Sequence, residues 1–183
     1  MTKKDKKNVA FLKHLKEQQQ YTTFETYLTE SRALSNHPKL RKLAEILIAF
    51  FSDPEHAKAS KVIVFSQFRD SAKEIKAYLD KKTDGLVKSD IFVGQNNNGL
   101  NQKMQAALIN KFKLGLCNTL VATCVAEEGL DIGDVNLIVS YDCLSSPIRM
   151  VQRFGRTGRA GVGKVIVLIQ RGEEENKFKQ SKI

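Results

Sequence analysis

The feature that most constrains this chain is an alternation of short, uninterrupted apolar runs with amphipathic segments of helical period. Val62-Ile63-Val64-Phe65 is the first such run, and Ile91-Phe92-Val93, Thr119 to Ala122, Leu137 to Val139 and Val165 to Ile169 follow it. A strand with one face in water alternates apolar and polar residues, whereas an unbroken apolar run suits a strand covered on both faces. Between the runs, Ala72, Ile75, Tyr78 and Leu79, and then Leu100, Met104, Ala107, Leu108 and Phe112, recur at the spacing of a helix buried along one side. Another helix precedes the first run. It opens at His37-Pro38, with the proline at the first helical position, and carries Leu40, Leu43, Ala44, Leu47, Phe50 and Phe51 on one face. Strands alternating with helices imply right-handed crossovers between parallel strands. The expected fold is therefore α/β, a mostly parallel sheet with helices on both faces, and its ligands are expected beyond the carboxyl ends of the strands.

The chain divides near Asn36. Residues from about Val9 to Leu34 are rich in Lys, Glu, Gln, Thr and Leu, contain no Gly or Pro, and read as one or two helices without a strand partner. Residues 1–35 are accordingly expected to be a helical segment, and 36–183 the α/β domain. A hydrophobic content of 42% and a charged content of 27% are those of a soluble globular protein, and no apolar run approaches membrane-spanning length, so no membrane partner is expected. The lysine-rich start lacks the apolar stretch of a signal peptide. Cys117, Cys124 and Cys143 are odd in number and lack C-x-x-C spacing, against both a disulfide framework and a zinc site. A net charge of +10 points to a polyanionic partner. Part of that excess is the N-terminal lysines alone, so specific positions have to carry the case.

Three polar segments fall at the ends of predicted strands or lead from them: Ser66-Gln67-Phe68-Arg69, Thr123 to Asp131, and the helix running into Gln152. That helix starts at Ser145-Ser146-Pro147, with Ser146 as N-cap. In Gln152-Arg153-Phe154-Gly155-Arg156-Thr157-Gly158-Arg159, Gln152 and Arg156 lie one turn apart and Arg159 a turn further on. Paired arginines offer permanent charge and planar donor forks, suited to the charge that develops on a γ-phosphate. A bare R-x-x-R is more economically read as a solvated basic helix end. The fuller Q-x-x-G-R-x-x-R pattern, with a capped helix start and a buried strand after it, is harder to obtain by accident. Glu127 and Glu128 point about 100° apart on a helix and do not form a facing acid/base pair, and a carboxylate-only metal site has no support. Asp131 suits a sugar hydroxyl or an arginine, Gly129 admits close backbone approach, and Thr123 suits a phosphate or an ordinary cap.

Together these segments resemble a known family. Val62 to Ser71 resembles motif IV of superfamily 2 helicases, Val121 to Ile132 motif V, and Gln152 to Arg159 motif VI. His37-Pro38-Lys39-Leu40, Phe92-Val93-Gly94-Gln95, Gly99 to Lys103 and Ser146-Pro147-Ile148-Arg149 look like the Fanconi anaemia M (FANCM) and archaeal Hef branch of DNA translocases. The resemblance covers about residues 36–172. It implies a RecA-like (P-loop NTPase-type) three-layer sandwich, the second lobe of an ATP-dependent DNA helicase or translocase acting on branched or fork DNA in repair. Carried over by motif, Arg156 and Arg159 are arginine fingers and Gln152 joins the same interdomain ATP site. Gly129 and Asp131 serve the nucleotide, and Ser66, Gln67, Gly94 and Thr123 touch the DNA backbone. Residues 1–35 then correspond to the end of an inter-lobe helical insertion. Such a protein would be nuclear, or cytoplasmic in an archaeon.

The chain contains no G-x-x-x-x-G-K-[ST] and no acidic box at a strand end for Mg²⁺. ATP and Mg²⁺ are thus expected to be held mainly by an N-terminal RecA-like lobe of a longer polypeptide. Two other readings are an RNA helicase lobe, since Val125 to Asp131 also looks like Dicer and innate-immune RNA sensors, and a non-catalytic docking module. The isolated chain is expected to hydrolyse no ATP. Turnover above that of a control with Arg156 and Arg159 replaced would overturn this.

Overall fold

A computed structural model of the protein describes residues 21–29, by their backbone, and 37–57, 59–93, 102–123, 132–142 and 163–176. In chain order the elements are β1 (Tyr21–Thr29), α1 (Pro38–Ser52), β2 (Val62–Ser66), α2 (Arg69–Lys82), β3 (Ser89–Phe92), α3 (Gln102–Lys113), β4 (Thr119–Thr123), β5 (Leu137–Ser140) and β6 (Gly163–Gln170). The six strands form one sheet in the order β1-β6-β5-β2-β4-β3, and every pairing is parallel.

Each apolar run is a strand, and the period of two sorts its residues between two cores. Val62 and Val64 of β2, Val121 of β4, Leu137 and Val139 of β5 and Ile166 and Leu168 of β6 face α1 and α2, meeting Leu43, Leu47, Phe51, Ala72, Ile75 and Leu79. Ile63, Phe65, Leu120, Ala122, Ile138 and Val165 point the other way, into a core that includes Ile109 and Phe112 of α3. Helices thus cover both faces, the three-layer arrangement of a RecA-like lobe. The burial of β2, β4 and β5 along their whole length explains why these stretches carry no polar alternation.

Two expectations are corrected. Residues 21–29 are not helical: β1 runs parallel to β6, with Phe24 opposite Val165 and Leu28 opposite Ile169. Tyr-Thr-Thr-Phe-Glu-Thr-Tyr-Leu-Thr is dominated by β-branched and aromatic residues, which suit a pleated surface better than a helix. The reading of the remainder of 1–35 as helix falls on residues outside those described. The second correction concerns α3, whose buried face is Gln105, Ile109 and Phe112, while Met104 and Ala107 are exposed. The helix is rotated because Gln105 Nε2 donates to the Val93 carbonyl at 3.2 Å, which draws an amide onto the sheet side.

At the amino end of the sheet, Cys117 is buried, and burial pushes its thiol up to about 11. No described helix is long and apolar enough to cross a membrane.

Phe65 is 1% exposed at the centre of the sheet, while Leu116 is 63% exposed in the turn before β4. Phe65→Ala should lower the unfolding free energy by about 3–5 kcal/mol through lost burial and a residual cavity. Leu116→Ala should change it by less than about 0.5 kcal/mol. Comparable losses in urea titrations of the two variants would contradict this placement of the core.

Candidate nucleic-acid and nucleotide interface

Chain order and spatial order part company at β2. Strand β4 lies on one side of it and β5, the next in sequence, on the other, so the carboxyl ends of these three strands form a topological switch point, the place where sheets of this kind bind ligands. Ser66, Thr123 and Ser140 end the strands. Ser66 sits level with Thr123, and Phe65 with Ser140.

One carboxylate ties the end of β2 to the residues just past β5. Asp142, two residues past β5, accepts the Gln67 backbone N–H on Oδ1, and its Oδ2 lies 3.1 Å from Ser66 Oγ. Ser66 Oγ is also 3.4 Å from the Phe68 carbonyl, but one hydroxyl proton favours the closer, charged acceptor. Tyr141 N–H donates to the Phe65 carbonyl at 2.8 Å, continuing the strand pairing up to the carboxylate. Burial raises the Asp142 pKa, partly countered by the Gln67 N–H, the Ser66 hydroxyl and the charge of Lys39.

Lys39 ties this corner to the first helix. It sits in the first turn of α1, 6% exposed, because the apolar face of the helix carries it toward the sheet. Its Nζ donates to the Tyr141 carbonyl at 2.7 Å and pairs with Glu174 Oε2 at 2.6 Å, 5.3 Å from the centre of the Tyr141 ring. Glu174 Oε2 also accepts the Gln170 N–H at 2.7 Å, which closes the end of β6. Burial, followed by the nearby carboxylates of Glu74, Asp142 and Glu174, raises the Tyr141 phenol well above its ordinary range. Lys39 is committed to these partners and is not a phosphate ligand.

Of the residues singled out by sequence, Ser66, Gln67 and Thr123 meet at this edge. Ser66 and Thr123 are buried, and the Gln67 side chain is exposed. Gln152, Arg156, Arg159, Gly129, Asp131 and Gly94 lie outside the described residues, as does the expected helix start at Ser146. Asp142, Lys39 and Glu174 were missed. A polar residue just past the Leu137 run was the available signal for Asp142, since the other strand ends had been read that way. Among the described residues, no group of three or more His, Cys, Asp or Glu could hold a metal ion.

The family model for the helicase conserved C-terminal domain matches residues 38–161. The ATP-dependent DNA helicase mph1 of Neurospora crassa is 49% identical over 150 residues, covering 80% of this chain and 13% of that protein. The ATP-dependent DNA helicase MPH1 of Pyricularia oryzae is 46% identical over 148 residues, covering 79% and 13%. The chain thus spans about an eighth of these relatives' length. Among solved structures, the Hef helicase domain of Pyrococcus furiosus superposes with a TM-score of 0.65 at 40% identity, covering 79% of this chain and 29% of that one. The C-terminal domain of the DEAD-box protein Dbp5 has a TM-score of 0.66 at 20% identity, covering 90% and 84%, a likeness of fold.

Because the Asp142 pKa is raised in the fold, the stability this carboxyl contributes is full below its unfolded pKa of about 3.9. It is lost as pH rises through the folded value. Asp142→Asn keeps an acceptor for the Gln67 N–H without the buried charge. Its unfolding free energy, relative to the native protein, should therefore improve as pH rises from the acid range toward neutrality. A variant that loses ground over that interval in denaturant titrations would show the raised pKa to be wrong.

Proposed function

The chain belongs to the helicase conserved C-terminal domain family, and from that premise we propose that it is the second motor lobe of an ATP-dependent DNA helicase or translocase. The observation that carries this reading is the 49% identity to a DNA helicase over 80% of the chain. The strand order supports it, because the strand ends of the motif IV and motif V segments lie side by side at β2 and β4.

In this reading the carboxyl edge of the sheet faces the first lobe and the DNA. ATP, bound chiefly by the first lobe, supplies the phosphoryl group whose transfer drives the cycle. Arg156 and Arg159 bring charge to that phosphoryl group when the lobes close, with Gln152 on the same helix end. Gly129 and Asp131 serve the nucleotide. The exposed Gln67 side chain contacts a phosphate of the DNA backbone, and Gly94 joins it in this role. Ser66 and Thr123 contribute from buried positions, where the Ser66 hydroxyl is already engaged by Asp142. Contacts to the backbone carry no sequence information, as a motor moving along any sequence requires. Preference for branched or fork DNA, and a role in repair, extend this reading from the FANCM and Hef resemblance.

In the longer polypeptide that carries this chain and a first lobe, Arg156→Ala or Arg159→Ala should reduce DNA-stimulated ATP hydrolysis by roughly 10³ to 10⁵. Nucleotide affinity should change far less. Turnover within a few-fold of the native protein would exclude the arginine-finger role. Stronger stimulation by duplex RNA than by fork DNA would move the lobe to the RNA-directed class.

A further inference from the structure

One large apolar side chain stands exposed at the carboxyl edge. Phe68 is 60% exposed, immediately after Gln67, and is the N-cap residue of α2. Ser, Thr, Asp or Asn at that position would accept a free helix N–H, and α2 has no side-chain cap bond. The phenyl group therefore gives up a cap and leaves a hydrophobic ring in water. When one residue breaks two local rules at once, the site is usually functional. Among the described residues the other exposed large hydrophobics lie elsewhere: Leu86, Leu114 and Leu116 in the turns that precede β3 and β4 at the amino edge, and Met104 on α3.

The mount is rigid although the ring is exposed. On one side the Gln67 N–H is held by Asp142, and on the other the Phe68 carbonyl accepts the Ala72 N–H at 3.1 Å, with Ser66 Oγ at 3.4 Å. The backbone at Phe68, φ −118° and ψ 145°, is relaxed and extended. No aromatic ring or cation among the described residues lies against the phenyl group. A largely exposed ring on a hydrogen-bonded backbone mount is suited to a flat apolar partner.

We propose that Phe68 stacks on a nucleobase of the strand whose backbone passes Gln67. This rests on the DNA-motor reading given above. Every base has a π-face, so an aromatic platform grips a strand without reading its sequence. Stacking also supplies what a phosphate contact at Gln67 lacks, a fixed distance between backbone and protein at each step.

The test uses the full-length protein with Phe68→Ala, Phe68→Leu and Phe68→Tyr, and a single-stranded oligonucleotide carrying 2-aminopurine. Phe68→Ala should weaken binding about tenfold, as for the loss of one stacked base, and abolish the fluorescence quench of 2-aminopurine. Tyrosine should restore both and leucine neither. The dependence of affinity on salt should not change slope, because no phosphate contact is removed. The proposal fails if Phe68→Ala binds and quenches as the native protein does, or if leucine substitutes fully, which would mark generic packing against another part of the protein. A lowered unfolding midpoint in Phe68→Ala would also overturn it by giving the ring a structural role. If the native protein binds no DNA, the motor reading falls as well; native binding with an indifferent Phe68→Ala removes the stacking alone.

Discussion

The placement of β2 governs the rest of the structure. It is hydrogen-bonded to β4 on one edge and β5 on the other, and no residue of it from Val62 to Ser66 reaches solvent appreciably. A strand held on four sides leaves its carboxyl end no freedom to shift, since sliding by one residue would exchange the two cores. The loops that leave β2, β4 and β5 therefore start from fixed points.

On that platform the buried charges settle the finer geometry. Lys39 loses hydration on being buried and the half-buried Glu174 loses part of its own, a cost that a single contact would not offset. The arrangement holds because each charge has a second partner: Lys39 donates to the Tyr141 carbonyl, and Glu174 accepts the Gln170 N–H. Asp142 follows the same logic with Ser66 and Gln67. The ends of β2, β5 and β6 and the start of α1 are thus joined by hydrogen bonds that are strong because one member is charged. Ser66 illustrates a wider point. Its hydroxyl belongs to a motif that suggests ligand contact, yet here it faces inward and supports the residue beside it.

What could be read from sequence was what repeats locally. Unbroken runs such as Val62 to Phe65 disclose a doubly covered strand because period and burial are set by neighbours in the chain. The misreading of residues 21–29 arose from averaging: Lys, Glu and Gln before the segment masked a stretch of Thr, Tyr and Phe whose β preference is plain when taken alone. The rotation of α3 was illegible, because it depends on the Val93 carbonyl across the loop from Gln105. Lys39 and Asp142 were hidden for the same reason. Their partners stand 102 and 76 residues away, and a lysine within an apolar helical face carries no local sign of what it will meet. Gln152, Arg156 and Arg159 were legible only as a pattern of spacing and charge.

The pairing of β1 with β6 bears on how the chain comes together. Tyr21 lies opposite Gly163, so the first described strand hydrogen-bonds to the last, and no bond of that pair can exist before the end of the domain has been synthesised. Joining such distant segments carries a large loop-closure entropy, and parallel pairings of this kind form slowly. Until then the outer edge of β6 and the Thr- and Tyr-rich β1 both present unsatisfied backbone groups. Completion of the sheet is therefore a late event in the life of the nascent chain, and the segment expected to be helical becomes the strand that covers the β6 edge.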